Sequence, residues 1–371
     1  MLLMGALWAR RTVHHRSPFT TLAGLAVVGG LLAYVPFLLF GYGTATIGNA
    51  QLPLATIIAA LNMFVWYGFL VAYVRVTRGY SRPLWVRLWD AALGFMVFAS
   101  LGAWGRALLV ALDISDPFIE SALVHLFLGL FSDGWFVLGL LGVMYALLDE
   151  ESLSLPRKAA WASWTLILSL PLTFLLGVPL QLTPPFWRHL AGIAGIIVGI
   201  SLLAHLQVLW PRVDPLWRVP MAFLALKAIG EIGVGIPPIA RWAEDNALRV
   251  PYLHWLLLGF VTLGLIVAGE QVWRLGHRAW VKAWIGAVLL LQSTLIPLTG
   301  IWPSAWRGLW TIQWAAWTST LIVGLALVYT LILWRDRHRG AISTTRSAPM
   351  RQPSRDASLP LTQGNRPLEK E

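Results

Sequence analysis

Apolar stretches of about twenty residues recur along almost the whole chain, and an α-helix of that length is what crosses about 30 Å of hydrocarbon. Ten such stretches fall near 19–41, 52–74, 89–112, 119–148, 159–182, 187–210, 218–240, 251–273, 279–301 and 306–334. None shows the strict polar/apolar alternation of a membrane barrel strand. With 57% hydrophobic and only 12% charged residues, the composition is that of an integral membrane protein rather than a soluble domain. The expected fold is therefore all-α, a polytopic membrane helix bundle of about ten transmembrane helices.

Charge in the connecting loops gives a test independent of hydropathy, because Lys and Arg accumulate on the cytoplasmic side of short loops. Alternate segments, counted from the first, hold Arg10, Arg11 and Arg16; Arg75, Arg78, Arg82 and Arg87; Arg157 and Lys158; Arg212 and Arg218; Arg274, Arg278 and Lys282; and Arg335, Arg337 and Arg339. The opposite side holds only Arg188, Arg241, Arg249 and Arg307. This asymmetry puts both termini in the cytoplasm of a cell with a bacterial-type inner membrane. It also accounts for the net charge of +11, through basic loops facing anionic headgroups of the lipid bilayer, so no nucleic-acid partner is expected. The apolar run after the basic first 18 residues is too long for a signal-peptide core and is read as a retained helix. Residues 1–334 form the transmembrane domain. Residues 335–371 turn rich in Arg, Ser, Pro and Gln and are read as a basic, disordered cytoplasmic tail.

The chain has no cysteine, which excludes disulfides, thiolate metal sites, iron–sulfur clusters and covalent c-type haem attachment. No HExxH, Walker loop or GxSxG occurs. The stretch "GEIGVGIPP" lies in a membrane helix and reads as helix packing followed by a helix end at Pro237 and Pro238. Tryptophans near helix ends, Trp187, Trp210, Trp217, Trp302, Trp306 and Trp310 among them, read as interfacial belts.

Ionisable residues inside membrane helices are the primary functional candidates. Lys227 and Glu231 stand four apart on one face of the seventh helix near mid-membrane, either as part of a proton or ion path or as a structural pair between packed helices. Arg106, His205 and Glu270 lie close enough to a boundary to reach the interface, and His189 sits at a helix mouth. His125 and His254 occur about six and three residues into the fourth and eighth helices, so both imidazoles lie within about 10 Å of the outer boundary. Each is followed by large apolar residues and glycines, a match that suggests four-helix repeats. A histidine of this kind serves either as a haem ligand or as a hydrogen-bonding residue across a helix interface. Asp133, eight residues past His125, lies about 12 Å deeper and roughly 80° around the helix, facing a polar crevice or another helix.

The segment "VHLFLGLFSDGWFVLGLLGVMYALLDEE" resembles the sixth helix of the haem–copper oxidase catalytic subunit superfamily, especially its cbb3-type and nitric oxide reductase branches, with His125, Gly129, Gly139, Met144 and Tyr145 in matching places. "YLHWLLLGFVTLGLIV" is similar to the family's tenth helix, with Tyr252 at the first position of its His-x-His pair and His254 at the second. The resemblance spans about residues 85–275. It implies haem b on His254, and a second haem or metal ligand in His125. It also implies electron transport, with other membrane or electron-transfer subunits as partners, and, for an enzyme, an oxidoreductase of the oxidase or nitric oxide reductase type. Where the family has its copper-ligating His-His pair, "LLGVPLQLTPPFWRHL" has Val178, Pro179 and Leu180, and the helix carrying the low-spin haem histidine has no counterpart, so copper is not expected. Two functions stay open: a haem-binding redox or gas-sensing protein, or a cofactor-free transporter or structural subunit centred on Lys227 and Glu231.

Overall fold

A computed structural model describes residues 1–11, 18–40, 45–47, 50–52, 54–150 and 156–346. The described residues are overwhelmingly helical. Among the described residues, nine helices are long and apolar enough to cross a membrane, and ten spans result if a bent pair counts as one. They are Pro18–Phe40, Leu54–Thr77, Leu84–Ala111, Pro117–Glu150, Arg157–Gly177, Pro185–Leu209, Arg249–Trp273, Arg278–Leu298 and Leu309–Leu333, with the bent pair Pro215–Val234 and Pro237–Asp245 in seventh place. The strands Ala45–Ile47 and Ala50–Leu52 pair antiparallel between the first two spans.

The chain divides into two compact units, Met1–Ile322 and Val323–Glu371. The core of the first unit lies on the third, fourth, sixth, seventh and eighth spans, where Trp85, Trp89, Met96, Leu141, Tyr145, Val198, Leu224 and Phe260 are all buried. The first span is barely buried by its neighbours, as befits a helix whose apolar surface faces lipid. The second unit contains the end of the last helix, which runs to Arg346 and so enters the stretch read as tail. The rest of that stretch, residues 347–371, lies outside the described residues.

Two features depart from the sequence reading, and a third bears out its helix end at Pro237 and Pro238. The N-terminal head contains a helix, Leu2–Arg11, that buries Leu3, Met4, Leu7 and Trp8, which share one face at three- and four-residue spacing. Arg11 fixes it in place: its guanidinium donates to the Ala146 carbonyl at 2.7 Å, pairs with Asp149 at 3.3 Å and lies 4.3 Å over the Trp85 ring. Trp217 is not a belt residue, since it is buried and its indole N–H donates to Gln271 at 3.1 Å. The seventh span breaks after Val234 and turns by 113° into Pro237–Asp245. Proline lacks the N–H that would continue the helix ladder, and the residue before a proline avoids helical geometry.

Close approach of the sixth and seventh spans positions everything near that break. A Cβ on Gly192 would stand 2.5 Å from the Gly235 carbonyl oxygen, and one on Gly235 would stand 2.6 Å from that of Gly192. Only hydrogen fits at either position, so the two backbones touch.

Candidate mid-membrane ionic site

Lys227 lies on the seventh span with its side chain 0% exposed. A buried ammonium needs compensating negative charge, and it has two sources. Glu231, one turn on along the same helix, accepts a hydrogen bond from Nζ at 3.0 Å. Asp133, from the fourth span, stands 3.3 Å from the same nitrogen. Asp133 and Glu231 are 8% and 4% exposed, so both carboxylates share the lysine's dry surroundings. The eighth span completes the cluster: the Tyr252 hydroxyl donates to Glu231 Oε2 at 2.8 Å. One ammonium, two carboxylates and a phenol thus tie three spans together. Asp133 Oδ1 is buried and has no hydrogen-bond partner.

Local backbone geometry places Asp133. Residues Leu130–Val137 are π-helical, so the ideal α-helical angle from His125 does not carry through to Asp133. A second π-helical segment, Trp255–Thr262, lies in the eighth span just beyond Tyr252 and His254. Side-chain hydroxyls compete for carbonyls in both, Ser132 bonding Leu128 at 2.7 Å and Thr262 bonding Leu257 at 2.8 Å. Each segment also has a glycine pressed against a phenylalanine of the span before it. A Cβ on Gly134 would meet Phe95 at 2.5 Å, and one on Gly259 would meet Phe223 at 2.3 Å.

The two candidate haem histidines have different surroundings. His125 is buried between Gly177, whose Cβ would lie 2.8 Å from the ring Nδ1, and Arg249, whose Nη2 stands 2.6 Å from Nδ1 and 3.1 Å from Nε2. A guanidinium only donates, so the lone pair of His125 faces Arg249. His254 is half-buried, with Nδ1 2.8 Å from the Val250 carbonyl. A carbonyl only accepts, so Nδ1 holds the hydrogen and Nε2 the lone pair. His125 stands five residues before its π-helical segment and His254 one before its own, so the histidine register and the π register differ by four residues. Of the glycines after each histidine, Gly259 is filled by Phe223, and a Cβ on Gly129 would lie in ordinary contact, 3.4 Å from the Phe174 backbone. The ring nitrogens of His125 face Arg249, whereas Nε2 of His254 keeps the lone pair that an axial ligand needs.

Other intramembrane polar residues resolve as follows. Arg106 pairs with Glu120 at 2.9 Å, both partly exposed. His205 and Glu270, read as reaching an interface, are both buried instead. Glu270 accepts from the His277 backbone N–H at 2.8 Å, and His205 bonds Tyr145. His189 is bound to the Pro185 carbonyl at 2.7 Å at its helix mouth. Among the described residues, no group of three or more His, Cys, Asp or Glu is arranged to hold a metal ion.

Fold and site together define a class: a multi-pass α-helical membrane protein with a buried ionic centre joining its fourth, seventh and eighth spans. No family model, no curated protein and no solved structure matches the chain.

Proposed function

We propose that this chain is a membrane transporter in which Lys227, Asp133, Glu231 and Tyr252 form the mid-membrane station for a proton or a monovalent cation. One observation carries the reading: a fully buried ammonium is held by carboxylates from two different spans. With all three groups ionised the cluster carries one net negative charge. A single added proton or monovalent cation brings it to neutrality, and in low dielectric that difference is large. Both carboxylates reach the same Nζ, so the lysine can turn from one to the other as the extra charge arrives and leaves. Ionisable residues grouped inside a membrane bundle mark ion and proton paths.

The chain sits in a cell membrane with both termini in the cytoplasm, as the loop charges indicate. The paired π-helical segments, each with a glycine against a phenylalanine of the preceding span, support reading the third and fourth spans and the seventh and eighth as repeats. That arrangement agrees with a scaffold resembling the haem–copper oxidase catalytic subunit.

The test is flux. In liposomes with a trapped pH-sensitive dye and an imposed potassium diffusion potential, the wild-type protein is expected to acidify the lumen, and Lys227→Met to abolish the response. Proton flux indistinguishable from protein-free liposomes, together with no uptake of labelled sodium, potassium analogue or lithium above that background, rules the transport reading out.

A second reading is supported by the free Nε2 of His254: a haem b bound by that residue, with redox or gas-sensing chemistry and electron-transfer partner subunits. Bound haem would supply electron transfer or diatomic-gas binding, and His254 would hold it. A Soret and α band is then expected in the reduced-minus-oxidised spectrum of protein expressed with ample haem, lost in His254→Ala and kept in Lys227→Ala. A colourless wild type ends that reading.

A further inference from the structure

The two carboxylates of the ionic cluster are unequally supported. Glu231 Oε2 accepts from the Lys227 ammonium at 3.0 Å and from the Tyr252 hydroxyl at 2.8 Å. Asp133 meets the same ammonium at 3.3 Å through Oδ2, while its Oδ1 is buried and has no hydrogen-bond partner among the described residues. The residues beside it are turned elsewhere. The Ser132 hydroxyl donates to the Leu128 and Gly129 carbonyls at 2.7 and 3.2 Å, and Gly134 is pressed against Phe95.

That imbalance decides which carboxylate gives up its charge more readily. Hydrogen bonds to an ionised acceptor are roughly twice as strong as neutral ones. A proton on Glu231 would weaken two of them and leave Lys227 with the longer contact to Asp133. A proton on Asp133 weakens only that longer contact and leaves the Lys227–Glu231 pair intact, with Tyr252 still donating to it. It also removes charge from a carboxylate whose second oxygen nothing stabilises. The titratable groups that face Asp133 are Lys227 and Glu231 from the seventh span, with Tyr252 from the eighth. The third, fifth and eighth spans pack on the π-helical segment Leu130–Val137 as well. Of their other charged residues, Asp90 is engaged by Tyr73 and Arg82, Arg106 by Glu120 and Glu270 by the His277 N–H, while Arg157 and Lys158 stand in the first turn of the fifth span.

The geometry points to Asp133 as the residue that carries the cargo and to a proton as that cargo, taken up on Oδ1 while Lys227 and Glu231 stay ionised. This rests on the transport reading and narrows it. The step balances: an O–H bond forms at Oδ1 as one breaks in hydronium, leaving water, and release reverses both. With the proton aboard, the ammonium belongs to Glu231 alone; with the proton gone, it is shared again. A sodium or potassium ion leaving water needs several oxygens in place of its hydration shell. A proton needs one, and Asp133 offers one unpartnered oxygen.

The experiment is infrared difference spectroscopy on the full chain in lipid, stepped from alkaline to acidic buffer. The carbonyl band of a protonated, buried carboxyl is expected. It should move to lower frequency in protein grown with aspartate carrying carbon-13 in its side-chain carboxyl, stay in place with the corresponding glutamate label, and be absent from Asp133→Asn. In the dye-loaded liposomes, Asp133→Asn is expected to lower proton flux to the protein-free background, and Asp133→Glu to keep a measurable part of it. A band that survives Asp133→Asn, or that moves with labelled glutamate, overturns the assignment and leaves the mid-membrane station standing. Uptake of labelled sodium or lithium without proton flux does the same, and so does a transporting wild type that shows no band. A wild type that passes no ion removes the transport reading, while a band lost in Asp133→Asn still assigns the proton to that residue. If Asp133→Asn fails to fold, the two labelled wild-type samples decide.

Discussion

Lys227→Met is expected to lower stability by about 3–5 kcal/mol, the cost of leaving buried carboxylates without their counter-charge. Methionine matches the length and bulk of lysine, so the loss is electrostatic rather than a cavity. Asp133 and Glu231 would be left facing one another across the vacated ammonium position, both largely buried. The check is the thermal midpoint of the detergent-solubilised protein, followed by loss of monomeric material on size exclusion. Most of the lost stability is expected to return in the triple variant Lys227→Met, Asp133→Asn, Glu231→Gln, because an uncharged centre has nothing left to compensate. A single variant as stable as the wild type would mean that the cluster is hydrated rather than dry.

The second large effect is steric. Gly192→Leu is expected to cost about 1–3 kcal/mol by overpacking, because the neighbour its Cβ would strike is the Gly235 backbone carbonyl, which cannot rotate away. The sixth and seventh spans would have to separate at the level just beyond Glu231, so the strain falls on the element that carries the ionic centre. Gly286→Leu is the matched control, since nothing lies within 4 Å of a Cβ there. Equal thermal midpoints for the two variants would show that the interhelical approach is looser than the carbonyl contact implies.

Much of the architecture could be read from the sequence, because membrane spans are written as continuous apolar length. Nine of the ten expected stretches appear as single long helices, and the tenth was marked at its break by Pro237 and Pro238. The pair Lys227 and Glu231 was equally legible, since a four-residue spacing on a helix is a local property. Asp133 was visible as a charge in need of a partner, but its partner was not, because which helices lie side by side is decided by packing. One clue was present: Lys227 is the lysine nearest mid-membrane, and a buried carboxylate requires a cation.

The helix Leu2–Arg11 was missed because ten residues are too few to register as a span, even though Leu3, Met4, Leu7 and Trp8 already trace one face. His205 was placed near an interface by counting residues from a helix end, which gives depth but not the direction of the side chain. Tyr145 turns that direction inward. The π-helical segments have no clear local signature. A serine or threonine bonding back to a carbonyl is common in ordinary helices, and the phenylalanine pressed against each glycine comes from another part of the chain.

The break in the seventh span has an electrical consequence. Glu231 lies three residues from Val234, about 5 Å, and thirteen from Arg218, about 20 Å. A charge reaching the cluster from the broken end therefore crosses only about a fifth of the helical insulation, and one arriving from the Arg218 side crosses the remainder. A full crossing is worth about 2.3 kcal/mol per 100 mV. Counted along this helix alone, a charge that entered from the Arg218 side would therefore make the larger share of the crossing.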